Sequence, residues 1–231
     1  MDLGITGKVV LCTGGSKGMG RDVAHMLVGE GCKVAIVDRA LTEVTGAFGP
    51  PLIVIGQTKF NIPGDFADIT EPEQYVDSFR SYTMSRIHLL QAVLPGMQEA
   101  GWGRFVHIGS ATAKEPEGSI HHVIANAARP STTGLLKTVA DEYARFGITV
   151  NTVAPGWIGT QNAYDYLEHQ VGLTTSDQIS GWMRANAGVP AARMGRPDEI
   201  ASMIVYLCSE AAGYLTGNWI EVDGGKHRSA F

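Results

Sequence analysis

The hydrophobic residues of this chain fall into six short runs that are separated by longer amphipathic stretches. The runs occupy residues 8–12, 33–38, 52–55, 104–108, 148–153 and 219–222. Most of them are apolar at consecutive positions rather than at alternate ones, which is typical of parallel strands buried on both faces of a sheet. We therefore predict six strands.

Between these runs, hydrophobic residues recur every three or four positions, which predicts helices. We expect four main helices. The first lies at about 18–30 and the second runs from the low 80s to about 99; the third ends near 146, and the fourth starts near 197. Strands that alternate with helices indicate an α/β fold with a doubly wound parallel sheet of the Rossmann type. A length of 231 residues suits one domain over residues 1–231.

Composition and charge exclude several classes of protein. The net charge is -5 and basic residues are not interleaved with aromatic ones, so we expect no nucleic-acid partner. We expect no membrane partner, because no apolar run approaches the roughly 18 residues that span a bilayer. The start of the chain does not resemble a signal peptide. Three widely spaced cysteines argue against a disulfide framework and a metal site, and favour a cytoplasmic location.

A glycine-rich turn, TGGSKGMG at residues 13–20, lies between the first predicted strand and the first predicted helix. Such a turn lets the backbone approach a pyrophosphate, and the helix N-terminus then offers free N–H groups to the phosphates. The alternative is a plain glycine-rich turn. The predicted cofactor contacts here are Gly14, Ser16, Lys17, Gly18, Met19 and Gly20.

Asp38 ends the second predicted strand about twenty residues after the turn, where an acid accepts hydrogen bonds from the ribose hydroxyls. An acid there also repels a 2′-phosphate, so the sequence favours NAD over NADP. Arg39 and Lys17 favour NADP instead, since either side chain can bind a phosphate.

Together these motifs resemble the short-chain dehydrogenase/reductase family over nearly the whole chain. The resemblance rests on TGGSKGMG and on five further motifs: LPGM (94–97), GRFVHIGS (103–110), ITVNTVAPGWIGT (148–160), GRPDEIA (195–201) and LTGNWIEVDGG (215–225). It implies an NAD(P)-dependent oxidoreductase that interconverts an alcohol and a ketone on a small-molecule substrate. It also implies a homodimer or homotetramer.

The resemblance further implies cofactor contacts outside the glycine turn. Gly56 occupies one of the family's asparagine positions after the third strand, and the turn that cradles the nicotinamide carries over to Pro155, Gly156, Ile158 and Thr160. The region at about 157–195 is expected to close over the substrate.

Two departures from the family stand out. Only thirteen residues separate Asp38 from Leu52, so an edge strand and its flanking helices are expected to be deleted there, together with one wall of the adenine pocket. In addition, the family's catalytic asparagine, tyrosine and lysine are replaced by Tyr82, Ala125 and Arg129, and of this set only Ser110 remains.

Arg129 keeps a positive charge but cannot act as a base at neutral pH. The adjacent Pro130 predicts that a helix begins close by. His122, three residues before Ala125, is the best-placed candidate proton donor, although it could equally belong to a solvated turn. Tyr82 is a second candidate, with core packing as its alternative role. The predicted catalytic residues are Ser110, His122, Arg129 and Tyr82.

Two other functions remain open at this point. The missing tyrosine and lysine are also compatible with a catalytically inactive or non-redox nucleotide-binding regulator on the same fold. A halohydrin-dehalogenase-like enzyme would use Ser110 and Arg129, but such enzymes lose the glycine turn that this chain keeps.

Overall fold

A computed structural model describes residues 2–37, 41–58, 62–116 and 120–228. Its centre is a sheet of six parallel strands in the order β2-β1-β3-β4-β5-β6. The strands are β1 (Val9–Thr13), β2 (Lys33–Val37), β3 (Ile53–Gln57), β4 (Gly103–Ile108), β5 (Ile148–Pro155) and β6 (Trp219–Val222). All six predicted strands are confirmed, and β1, β3, β4 and β5 are buried along almost their whole length.

Helices cover both faces of this sheet, as a doubly wound fold requires. The helices are α1 (Gly18–Gly29), α2 (Leu41–Phe48), α3 (Pro72–Phe79), α4 (Ser85–Ala100), α5 (Val123–Tyr143), α6 (Gln161–Tyr166), α7 (Ser176–Ala185) and α8 (Pro197–Leu207). On one face α1 and α8 pack together through Val23, Leu27 and Ile204. On the other face α2, α4 and α5 bury Val44, Leu90 and other apolar side chains against the sheet.

The connection between β2 and β3 is short, as predicted, but it contains a helix. Within the described residues β2 is an edge of the sheet, so the predicted loss of the edge strand is confirmed. The predicted loss of both flanking helices is wrong, since the eight-residue α2 lies there. The chain must cross over β1 to reach β3, and α2 covers that face by burying Val44.

Helix α5 corrects a second prediction. It begins at Val123, with His122 as its N-cap, and not next to Pro130. Pro130 is the eighth residue of the helix, where its ring removes one backbone donor. Arg129 consequently projects from the second turn of α5 rather than from a helix start.

After β5, the region at about 157–195 builds a small cluster of its own. A π-helical segment, Leu167–Val171, follows α6, and its Leu167 is buried with Met183 of α7 and with Met194. Trp157 and Trp182 pack edge to face at 5.2 Å beside this cluster. None of the helices in the described ranges is long and apolar enough to cross a bilayer.

We expect Phe105→Ala to lower the free energy of unfolding by about 3–5 kcal/mol. Phe105 of β4 is 0% exposed and packs in the cluster beneath α4 and α5, so truncation leaves a cavity. Phe66→Ala is the matched control, because Phe66 is 78% exposed. Urea denaturation measures both variants, and a Phe105→Ala midpoint equal to that of wild type would contradict this account of the core.

Candidate active site

The glycine-rich turn is held in place by a link between the ends of β1 and β3. The Thr13 hydroxyl accepts the backbone N–H of Gln57 at 2.9 Å and lies 3.3 Å from the carbonyl oxygen of Ile55. Gly14 then turns the chain with a φ of +71°, a conformation that glycine adopts without strain. A Cβ on Gly20 would lie 2.5 Å from the Gly14 carbonyl oxygen, so the turn folds back onto α1 only with glycine there.

The N-terminus of α1 is prepared for an anion. Its N-cap, Lys17, is extended and provides no side-chain hydrogen bond to the helix, and the first turn carries no acidic residue. The first N–H groups of a helix have no intrahelical acceptor, and the helix dipole adds positive potential at this end. Phosphate oxygens fit both features.

A cleft of about 780 Å³ opens in front of this helix end. Six of the predicted cofactor contacts line it: Gly14, Ser16, Lys17, Gly18, Met19 and Thr160. The opposite wall comes from Leu41 of α2 and from Arg86 and His88 of α4. Asp38 lies outside the described residues.

The other predicted cofactor residues support the cleft from behind. Gly156 donates its N–H to Val222, and a Cβ on it would lie 2.7 Å from the Cβ of Asp223. Ile158 is buried and pairs with Gly195. Pro155 is the last residue of β5. A Cβ on Gly20 would lie 2.5 Å from the Gly14 carbonyl oxygen, and a Cβ on Gly56 would lie 2.5 Å from Arg86 Nη1. Of the described residues that line the cleft, none belongs to this group of five.

The predicted catalytic residues Ser110, Arg129 and Tyr82 meet at the carboxyl end of β4. The Ser110 hydroxyl lies 3.2 Å from that of Thr112, which accepts a hydrogen bond from Arg129 Nη1 at 2.5 Å. Arg129 Nη2 lies 3.5 Å from the Tyr82 hydroxyl, with the guanidinium 5.5 Å from the ring centre. Thr112 is the link that sequence reasoning missed.

These three side chains line a second, small cavity that also includes Thr58 and His107. Thr58 lines the large cleft as well, so the two spaces adjoin each other. A serine hydroxyl, a guanidinium and a phenol around one cavity can bind an oxygen atom, compensate a negative charge and transfer a proton.

Tyr82 occupies space that the replacement at position 125 leaves open. Ala125 is 0% exposed and forms a buried cluster with Tyr82 and Ala128. The phenol ring therefore packs directly against the position at which the family resemblance places a tyrosine.

Neither His122 nor His121 is among the described residues that line the two cavities. Burial lowers the pKa of His122 first, and the charges of Arg129 and His121 lower it further, so His122 is neutral at pH 7. Its neighbour His121 is exposed and lies 2.7 Å from Asp65.

Arg86 and His107 are site residues that sequence reasoning missed. Arg86 is 4% exposed, burial lowers its pKa to about 10, and its Nη1 has no hydrogen-bond partner within the described ranges. It fits because Gly56 has no side chain, since a Cβ there would lie 2.5 Å from Nη1. His107 donates its Nδ1 hydrogen to the Gly56 carbonyl at 3.0 Å. The sequence signal that could have found Arg86 is its spacing of four residues from Tyr82, which places both side chains on the same face of a helix.

Comparison with known proteins shows that the chain is similar to several reductases. Residues 37–227 match the family described as enoyl-(acyl carrier protein) reductase. The chain is 31% identical to a 3-oxoacyl-(acyl-carrier-protein) reductase of Haemophilus influenzae, over 96% of this chain and 99% of that one. It is also similar to acetoacetyl-CoA reductase of Rhizobium meliloti, with 28% identity over 95% and 98% of the two chains.

Among solved structures, the L-sorbose reductase of Gluconobacter frateurii, complexed with NADPH and L-sorbose, is 25% identical with a TM-score of 0.87. The match covers 99% of this chain and 100% of that one. The alignment with the Haemophilus influenzae relative runs over 253 positions, more than the 231 residues here, so that relative carries residues without a counterpart in this chain. This agrees with the shortened connection between β2 and β3.

We expect His107 to make the protein less stable as the pH falls below about 6.5. Burial, followed by the charge of Arg86, lowers its pKa to about 3, whereas the unfolded chain keeps the ordinary value. Between these two values the unfolded state binds the additional proton, so stability falls as the pH falls, by up to about 1.4 kcal/mol per pH unit.

His107→Asn should remove this contribution, which urea denaturation at pH 4 to 7 measures. His25→Asn, at an exposed position of α1, should keep the slope of wild type. Identical slopes in His107→Asn and wild type would show that His107 is not held neutral.

Proposed function

This chain belongs to the short-chain dehydrogenase/reductase family, and we propose that it interconverts a ketone and a secondary alcohol with NAD(P) and an unusual proton donor. The observation that supports this most directly is the continuity of the site. The cleft at the uncapped N-terminus of α1 adjoins the cavity that Ser110, Arg129 and Tyr82 line.

The residues present fit a dinucleotide. Glycine at positions 14 and 20 lets the turn fold tightly against α1, and the first turn of α1 offers unpaired donors to a pyrophosphate. The L-sorbose reductase similar in structure binds NADPH. Asp38 favours NAD for this chain, because an acid at this position repels the 2′-phosphate of NADP. When bound, the nicotinamide supplies or accepts the hydride.

We assign Ser110 to the substrate oxygen and Tyr82 to the proton. In the direction of reduction, bound NAD(P)H would supply the hydride to the carbonyl carbon, and the Tyr82 hydroxyl would give its proton to the carbonyl oxygen. The charge left on the phenol oxygen then faces Arg129 Nη2, 3.5 Å away. Solvent returns the proton when the product leaves.

Arg129 is assigned two tasks that its fixed charge allows. Its Nη1 holds Thr112, which in turn positions Ser110. Its charge also stabilises negative charge that develops nearby. Assembly as a homodimer or homotetramer and action on a small carbonyl compound or alcohol remain predictions from the family resemblance.

We expect Gly20→Ala to weaken nucleotide binding by at least about tenfold, a loss of about 1.4 kcal/mol. The added Cβ would lie 2.5 Å from the Gly14 carbonyl oxygen and 2.8 Å from Gln57 Oε1, so the turn must open. Calorimetric titration with NADH and NADPH measures the change, and wild type should bind NADH more tightly.

Gly29→Ala is the matched control, because this glycine belongs to the same helix and a Cβ on it meets nothing within 4 Å. Absence of binding of either nucleotide to wild type would refute the redox proposal. Equal affinities in Gly20→Ala and Gly29→Ala would refute the role of the turn.

We expect Tyr82→Phe to lower kcat for ketone reduction by about 10²–10⁴-fold with little change in KM, because it removes the proton donor and keeps the ring. His122→Gln should stay within about threefold of wild type, since His122 lies apart from both cavities. Steady-state kinetics on a panel of ketones with NADH measures both variants.

A loss of activity in His122→Gln with full activity in Tyr82→Phe would reverse the assignment of the proton donor. A wild-type protein that binds nucleotide but turns over no carbonyl compound would favour the inactive, regulatory alternative.

A further inference from the structure

A cluster of ionisable side chains lies at the carboxyl end of β6, outside both cavities. Glu221, Asp223 and His227 bring one potential metal ligand each to within 4.8 Å of one another. Glu115, from the loop that follows β4, approaches the same histidine. Two distant parts of the chain therefore meet at this cluster.

The imidazole of His227 is buried and oriented by a carboxylate. Its side chain is 5% exposed, and its Nδ1 lies 3.2 Å from Asp223 Oδ2. The opposite nitrogen, Nε2, has no hydrogen-bond partner in the described part of the chain. It nevertheless lies 3.2 Å from Glu221 Oε1 and 3.5 Å from Glu115 Oε1.

The cluster carries more negative than positive charge. The Asp223 carboxylate accepts hydrogen bonds from the backbone N–H groups of Gly225 at 2.9 Å and His227 at 2.8 Å. Among the ion pairs given for the described residues, Lys114 places its Nζ 3.2 Å from Glu221 Oε1, beside the carboxylates of Glu115, Glu221 and Asp223. An additional cation would balance this excess.

We propose that His227 and Glu221, joined by Glu115 in place of Asp223, bind a divalent transition-metal ion of the zinc type. Two ligands of a tetrahedral zinc ion, each about 2.1 Å from it, lie about 3.4 Å apart. The distances from His227 Nε2 to the two glutamate oxygens bracket that value. The Asp223 carboxylate on Nδ1 is the outer partner that metal-bound histidines usually have.

Such an ion would tie the C-terminal segment to the catalytic loop. Glu115 follows the segment 110–113, which contains Ser110 and Thr112, and Asp223 packs against Gly156 behind the nucleotide cleft. The metal would thus act as a structural brace, and it takes no part in hydride transfer. The competing arrangement is a hydrogen-bond network between His227 and the same carboxylates, which would bind no metal.

The test uses untagged, full-length protein that has been treated with EDTA and then dialysed. We expect one equivalent of Zn²⁺ in a calorimetric titration and a melting temperature that rises with the Zn²⁺ concentration. One equivalent of Co²⁺ should give the visible absorption bands of a tetrahedral site. Burial raises the pKa of Cys12 to about 12 and also raises the pKa of Cys208, so these thiols should not compete for the ion.

We expect His227→Gln to abolish the Co²⁺ bands and Asp223→Asn to weaken Zn²⁺ binding by about 10–100-fold. His25→Gln, at an exposed position of α1, should bind the ion as wild type does. Circular dichroism in EDTA checks that the variants are folded.

Absence of stoichiometric binding to wild type, or equal binding to wild type and His227→Gln, would overturn the proposal. So would a preference for Mg²⁺ or Ca²⁺, which take oxygen ligands. These readouts need neither nucleotide nor turnover, so their result is independent of the proposed reaction.

Discussion

The parallel sheet is the constraint on which the rest of the molecule depends. Because all six strands run the same way, their carboxyl ends meet at one edge. The turn after β1, the Gly56 region of β3, Ser110 after β4 and Pro155 of β5 therefore converge, although they are spread along the sequence. The Thr13 hydroxyl fixes this edge directly, since it joins the ends of β1 and β3 at the point where the glycine turn begins.

The replaced catalytic residues are easier to understand as a rearrangement than as a loss. Ala125 alone would leave a void in the buried region where a tyrosine is expected. The ring of Tyr82, contributed by the segment Arg80–Met84 that precedes α4, fills this region, and Arg129 stands beside its hydroxyl. One phenol and one cation are thus kept together while their positions in the sequence change. The same geometry accounts for packing, and this is why kinetic variants are needed to separate the two roles.

The sheet could be predicted from the sequence because each strand contains a short run of mostly apolar residues, and four of the strands are buried along almost their whole length. The helices α3 and α7 could not, since they are short and present few apolar residues to the core. Pro130 misled the prediction of the start of α5, because tertiary packing tolerates a proline in the second turn. Arg86 and the pairing of Glu115 with His227 depend on contacts between distant segments, which residue spacing does not report. The expectation that the chain has no metal site rested on its cysteines and did not consider histidine and carboxylate side chains.

The shortened connection after β2 changes how a nucleotide can be held. No described residue forms a strand beyond β2, and the wall that faces the glycine turn comes from α2 and α4, with the buried guanidinium of Arg86 beside it. The phosphate end keeps the unpaired backbone donors of the first turn of α1. Binding energy should therefore be concentrated at the pyrophosphate and the nicotinamide turn. Rigid support of the loops behind that turn then matters more, and the cluster around His227 lies where it can provide such support.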